Sequence, residues 1–228
     1  MKHEGGFWER FMSATLHYIY DPLCGWCYGA EPLVRAAATV PDLSLELHAG
    51  GLWPQPTQLP PDMRRYIQQA DARIAEMSGQ PFGQPYLSGS LLDPTLVLDS
   101  RPTIAAVLAA AALDPSKALP MLRGIQHAHY EHGRRVVERD VLGDIAQVCG
   151  LARERFAAAL DDVPVDAHIA ATHRLMGKVG SAGFPTFVLR IGDELFGVPH
   201  QQFASRPAEL EAWLRRQMAG RTERAAAH

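Results

Sequence analysis

Thr15-Leu16-His17-Tyr18-Ile19-Tyr20-Asp21-Pro22-Leu23-Cys24-Gly25-Trp26-Cys27-Tyr28 decides how the chain is read. Residues 15–20 are apolar, aromatic and β-branched, the composition of a strand, and Asp21-Pro22 ends it. The text from Cys24 to about Ala38 reads as helix, stopped by Pro41, and Pro32 inside it predicts a kink or a short first segment. A pair of thiols thus stands where a strand ends and a helix begins, and one helical turn brings the sulfurs within bridging reach. The exposed N–H groups and partial positive charge of a helix start favour a thiolate on the first cysteine. Thiolates attack disulfides, so the pattern reads as a redox centre.

Working outward, Leu43, Leu45 and Leu47 alternate with Ser44, Glu46 and His48, the period of a second strand over 43–49. A β-α-β opening of this kind points to a parallel pair with a crossover helix. Residues 50–61 read as a loop. From about 62 to 178 apolar residues recur at three and four positions, which predicts helices over 62–78, 102–113, 115–131, 138–148, 152–160 and 165–178. Residues 80–99 form an irregular, Pro- and Gly-bearing connection. Strands over 184–190 and 194–197 flank Ile191-Gly192-Asp193 as a hairpin, an amphipathic helix follows over 207–218, and 221–228 reads as a frayed tail. The expected fold class is α/β, in the order β-α-β, a long helical block, then β-β-α. Residues 13–60 and 179–220 would form one domain, with 61–178 inserted into it as a helical subdomain.

The chain has 228 residues, of which 47% are apolar and 21% charged, and its net charge is −3. Those values describe an ordinary globular protein long enough to bury about 70% of its unfolded surface. Basic residues neither dominate nor form a stripe, so no nucleic-acid partner is expected. The strongest apolar window, 103–113, is too short to span a bilayer, and no membrane association is expected. Lys2, Glu4, Glu9 and Arg10 interrupt the start, which is therefore no secretory signal, and three cysteines make no disulfide scaffold. The cytoplasm is the expected compartment. Met12 offers an alternative start, with residues 1–11 as an extension.

A second informative segment is Gly183-Phe184-Pro185-Thr186-Phe187, where a proline opening a strand is compatible with a cis peptide bond. With both segments in hand, the chain resembles the thioredoxin superfamily, and within it the DsbA-like thiol–disulfide oxidoreductases. The resemblance runs through residues 21–29, through 133–142 and 149–151, and through 178–188, and so covers nearly the whole chain. It implies a thioredoxin fold with a large helical insertion and a cis-Pro185 lying against the dithiol. It also implies that Cys24 is the exposed nucleophile and Cys27 the more buried resolving thiol. Phe184 would offer backbone groups to an extended substrate beside Pro185 and Trp26. The implied substrates are protein or low-molecular-weight thiols and disulfides, glutathione among them, with no metal and no organic cofactor. The central Gly25-Trp26 departs from the strongly oxidising relatives, which carry a histidine there, and from the Gly-Pro of thioredoxins.

Rival readings share these residues. Cys24 and Cys27 are half of a zinc set, which Cys149 and a histidine would have to complete. Kappa-type glutathione transferases and 2-hydroxychromene-2-carboxylate isomerases share the architecture, but place a serine where Cys24 stands. A redox-inactive peptide-binding module is a third reading. Cys149 is expected as a small buried hydrophobe, and His127, His129 and His132 as a solvated helix face. Asp21 is either a proton-transfer group or a strand-end residue. Trp53, Tyr86 and Met121 either line a groove near the thiols or fill the core.

Overall fold

The computed structural model describes residues 14–225; the Met12 start and the extension over 1–11 lie outside the described residues, as do residues 226–228 of the tail. Strand β1 (Ala14–Tyr20) leads through Asp21–Leu23 into a short helix α1 (Gly25–Gly29), followed by α2 (Glu31–Ala37) and β2 (Leu43–Ala49). The expected single helix is therefore broken at Ala30. Pro32 explains the break: it sits in the first turn of α2, where its missing N–H has no intrahelical partner to lose. After the helical block come β5 (Thr186–Ile191), β6 (Glu194–Gly197) and α9, which spans Pro207–Ala225 and so runs beyond the expected end at 218.

The main sheet has the order β2-β1-β5-β6. β1 is parallel to β2 and antiparallel to β5, and β5 is antiparallel to β6. Leu16, Tyr18 and Tyr20 of β1 enter the main core with Leu33 and Val34 of α2 and Leu210 and Leu214 of α9. Ile19 points to the other face and packs on Val188 and on Met176 of α8. Each fully buried side chain of this size contributes about 1.5–3 kcal/mol, so the pleat of β1 alone fixes which helices lie on which side.

Between β2 and β5 lie α3 (Pro61–Ser78), α4 (Ser100–Leu113), α5 (Ala118–Tyr130), α6 (Arg139–Val148), α7 (Arg153–Asp162) and α8 (Val165–Val179). Six helices match the predicted order to within a few residues. The Ala-rich α4 is capped by Asp99, whose carboxylate accepts the Arg101 N–H at 2.9 Å. The connections held more structure than expected. Short strands β3 (Thr57–Gln58) and β4 (Val97–Leu98) pair antiparallel, and a π-helical turn covers Pro85–Gly89. Among the described residues no helix is long and apolar enough to cross a membrane.

Registers Tyr20↔Ala49 and Ile19↔Thr186 bring three segments to one end of the sheet: the turn after β1, the loop after β2, and the loop before β5. Gly50 is where two of them touch. A Cβ there would lie 2.2 Å from Cζ of Phe184, so the ring occupies the space a side chain would need. Gly50→Ala should displace Phe184 and destabilise the protein by about 1–3 kcal/mol, the usual cost of overpacking. Urea unfolding measures this; an unchanged midpoint would mean the ring is not clamped.

Candidate active site

Cys24 is the N-cap of α1: its carbonyl accepts the N–H groups of Cys27 and Tyr28, both at 3.0 Å. Both cysteines are free thiols. Cys24, expected to be exposed, is buried at 6% exposure and reaches solvent only through the open cleft it lines, whereas Cys27, one turn deeper, is fully buried and does not line it. The Asp21 N–H points at the Cys27 sulfur from 3.5 Å, and the Tyr18 hydroxyl donates to the Cys27 carbonyl at 3.1 Å. Burial, then the neighbouring Cys24 thiol, pushes the Cys27 thiol well above the ordinary cysteine range. Cys27 thus rests as a neutral thiol behind the one that lines the cleft.

The Phe184–Pro185 bond is cis, and the Phe184 carbonyl lies 3.8 Å from the Cys24 sulfur as its acceptor. The segment expected beside the dithiol is therefore there, and Trp26 stands at the cleft rim, 41% exposed. Asp21 is completely buried, and its carboxylate accepts the Leu23 N–H at 2.8 Å and the Leu52 N–H at 2.7 Å. Burial raises its pKa, and these bonds, with those from the Ser100 hydroxyl and the Gly51 N–H, oppose the rise. Asp21 latches the turn before Cys24 to the loop after β2.

The cleft measures about 220 Å³. Its near wall is Leu23, Cys24 and Trp26; its far wall is one stripe of α3, namely Met63, Ile67, Ala70, Asp71 and Ile74. Trp53 and Tyr86 line it as well, whereas Met121 is buried core and does not. His129 corrects an expectation. It is 3% exposed, packs on Tyr86 and Tyr130, and lines the cleft floor, so it shares no solvated face with the exposed His127 and His132. The helix buries this side of its last turn because Tyr130 and Ala128 face the core there. Burial lowers the His129 pKa to about 4, so the ring is neutral. Cys149 is another correction: it ends α6 half-buried rather than inside the core.

Asp71 escaped the sequence reading. It is 2% exposed, accepts the Tyr86 hydroxyl at 2.8 Å, and lies so close to α1 that a Cβ on Gly25 would meet its Oδ1 at 2.5 Å. A signal existed: Asp71 interrupts an apolar stripe at helical spacing, a place for a buried carboxylate or for none. Burial raises its pKa to about 7, partly offset by the Tyr86 bond. The charged form is the one penalised, so this group weakens the fold as pH rises from 3.8 to about 7 and adds no further loss above that. Asp71→Asn keeps an oxygen for Tyr86 and removes the charge. Relative to wild type it should gain stability across that interval and level off above it, as read by urea unfolding at a series of pH values. A constant difference would mean Asp71 titrates normally.

The DSBA-like thioredoxin domain model matches residues 15–206. Among solved structures, the cytosolic disulfide reductase DsbM from Pseudomonas aeruginosa is 46% identical, with a TM-score of 0.84 over 90% of this chain and 98% of that one. The same reductase solved with GSH is 45% identical, with a TM-score of 0.83 over 90% and 99%. A 2-hydroxychromene-2-carboxylate isomerase is 15% identical, with a TM-score of 0.58 over 93% and 98%, a likeness of fold alone. A comparison with curated proteins finds no match. The match over most of its length places this chain in the DSBA-like thioredoxin-domain family.

Proposed function

We propose that Cys24 and Cys27 carry the disulfide exchange, with Cys24 attacking and Cys27 resolving. The chain is a thiol–disulfide oxidoreductase. The observation that carries the assignment of roles is access to the cleft: of the two buried thiols, Cys24 lines it and Cys27 does not. In the reducing direction the Cys24 thiolate attacks one sulfur of a substrate disulfide. The substrate S–S bond breaks, and its other sulfur leaves and takes up a proton. Cys27 then gives up its proton and attacks the Cys24 sulfur. That step frees the second substrate thiol and leaves a Cys24–Cys27 disulfide, two electrons having passed to the substrate. A small thiol of the glutathione class resets the pair by the same exchange and is itself oxidised to a disulfide.

Substrate chemistry follows from the rim. Trp26, Leu52, Met63 and Tyr66 stand around the cleft mouth at 41%, 42%, 41% and 66% exposure, an apolar collar beside a reactive thiol. Such a collar suits apolar residues flanking a disulfide, while the backbone at Phe184 and Pro185 pairs with the extended segment itself. The reductase solved with GSH supports glutathione as the small-thiol partner, and its cytosolic description supports a reducing compartment for this chain. Residues 61–178 act as an inserted subdomain that supplies the far wall, through α3. Residues 13–60 and 179–220 supply the dithiol and the Pro185 loop.

Cys24→Ser should reduce insulin disulfides no faster than the uncatalysed reaction. Cys27→Ser should accumulate a mixed disulfide with glutathione on Cys24, seen as one added glutathione by intact mass. Cys149→Ser should leave turnover unchanged, since its half-buried thiol stands away from the cleft lining. Full turnover in Cys24→Ser would overturn the assignment.

A further inference from the structure

The face of the sheet that packs on α8 carries a second cluster, unrelated to the dithiol. Glu46 and His48 are two apart on β2 and so share a face, and His17 is the register partner of Glu46 on β1. Their ligand atoms converge. His17 Nδ1 lies 3.0 Å from His48 Nε2 and 3.2 Å from Glu46 Oε2, and His48 Nε2 lies 3.5 Å from the same Oε2. None of the three lines the cleft beside Cys24.

Hydrogen bonds alone cannot satisfy this triangle. A carboxylate oxygen only accepts, and each neutral imidazole nitrogen either donates or accepts. If both nitrogens carry hydrogen, two donors face each other across 3.0 Å. If only one does, the other nitrogen faces the carboxylate oxygen as acceptor against acceptor. With Glu46 as a carboxylate, every arrangement leaves one edge repulsive. A cation resolves all three edges together, because each atom then directs a lone pair at the same centre.

The size is right for such an ion. A circle through three atoms with these separations has a radius of about 1.9 Å, just inside the ~2.0–2.2 Å of zinc–imidazole and zinc–carboxylate bonds. An ion slightly out of the ligand plane would lie at bonding distance from each atom. We propose that His17, Glu46 and His48 form a binding site for a zinc-class divalent cation, clipping β1 to β2 on the α8 face. No metal is expected from the sequence, in which these residues read only as strand.

The surroundings fit. His17 is 10% exposed at its side chain, His48 22% and Glu46 50%, so the ion enters from the Glu46 side and water completes its coordination. Two further groups face the cluster. His168 of α8 is occupied, its Nε2 accepting the Ala49 N–H at 3.0 Å. Arg190 of β5 opposes a cation but is held by Thr15, donating to its hydroxyl at 2.6 Å.

The test must separate this site from the thiols, which bind zinc themselves. The Cys24→Ser, Cys27→Ser, Cys149→Ser protein is titrated with Co²⁺ and Zn²⁺ against a chromophoric chelator. The site predicts one equivalent bound, cobalt ligand-field bands without a sulfur charge-transfer band, and a rise in Tm with zinc. Glu46→Gln, at a half-exposed position that leaves the fold intact, and His48→Ala should each weaken zinc at least ~10–100-fold and remove the rise in Tm. Absence of a bound equivalent in the serine protein would overturn the proposal. So would binding that Glu46→Gln and His48→Ala both leave unchanged.

Discussion

Strand β1 is hydrogen-bonded on both sides along its length, and its register decides where everything else can stand. A one-residue slip against β2 or β5 would exchange its faces. Leu16, Tyr18 and Tyr20 would then leave the main core, and His17 and Ile19 would enter it. That penalty, several buried side chains at once, locks the pairing. The locked pairing in turn gathers Asp21–Cys24, Gly50–Trp53 and Phe184–Pro185 at one end. The reactive site is thus a by-product of how the central strand buries its two faces.

Asp21 and Asp71 show how the same fold handles two buried carboxylates differently. Burying a carboxylate costs several kcal/mol unless donors surround it. Asp21 receives N–H groups from the segments it joins and so works as a latch. Asp71, on the wall of the cleft, has only the Tyr86 hydroxyl among the described residues, and its pKa rises to about 7. Dense backbone donation makes one group structural. Sparse donation leaves the other free to change charge near neutral pH, on the wall of the cleft beside Cys24.

What was legible in the sequence was what local chemistry dictates. The strand-turn-helix around Cys24 and the proline opening β5 declare themselves within a few residues, and helical periodicity carried α3 to α8. Pro32 already marked the place where α1 and α2 part. What stayed hidden depends on distant partners. β3 and β4 are too short to show a period and exist only through each other. His129 is buried because Tyr86 and Tyr130 close over it, which no spacing within α5 reveals. The alternation in β2 exposed Glu46 and His48 as one face, but only the register with β1 adds His17.

The surroundings of the dithiol also bear on the direction of electron flow. A strongly oxidising pair is one whose reduced form is stabilised, usually by positive charge near the thiolate. Here the groups packed around the buried thiol are Asp21, Tyr18 and Tyr20, none of them cationic, and Asp21 makes a negative charge on Cys27 still costlier. His129 on the cleft floor is held neutral by burial, and among the described residues neither lysine nor arginine lines the cleft. Gly25-Trp26 adds no charge between the sulfurs. Positive charge beside Cys24 therefore comes from the N–H groups at the start of α1 rather than from a cationic side chain of the cleft.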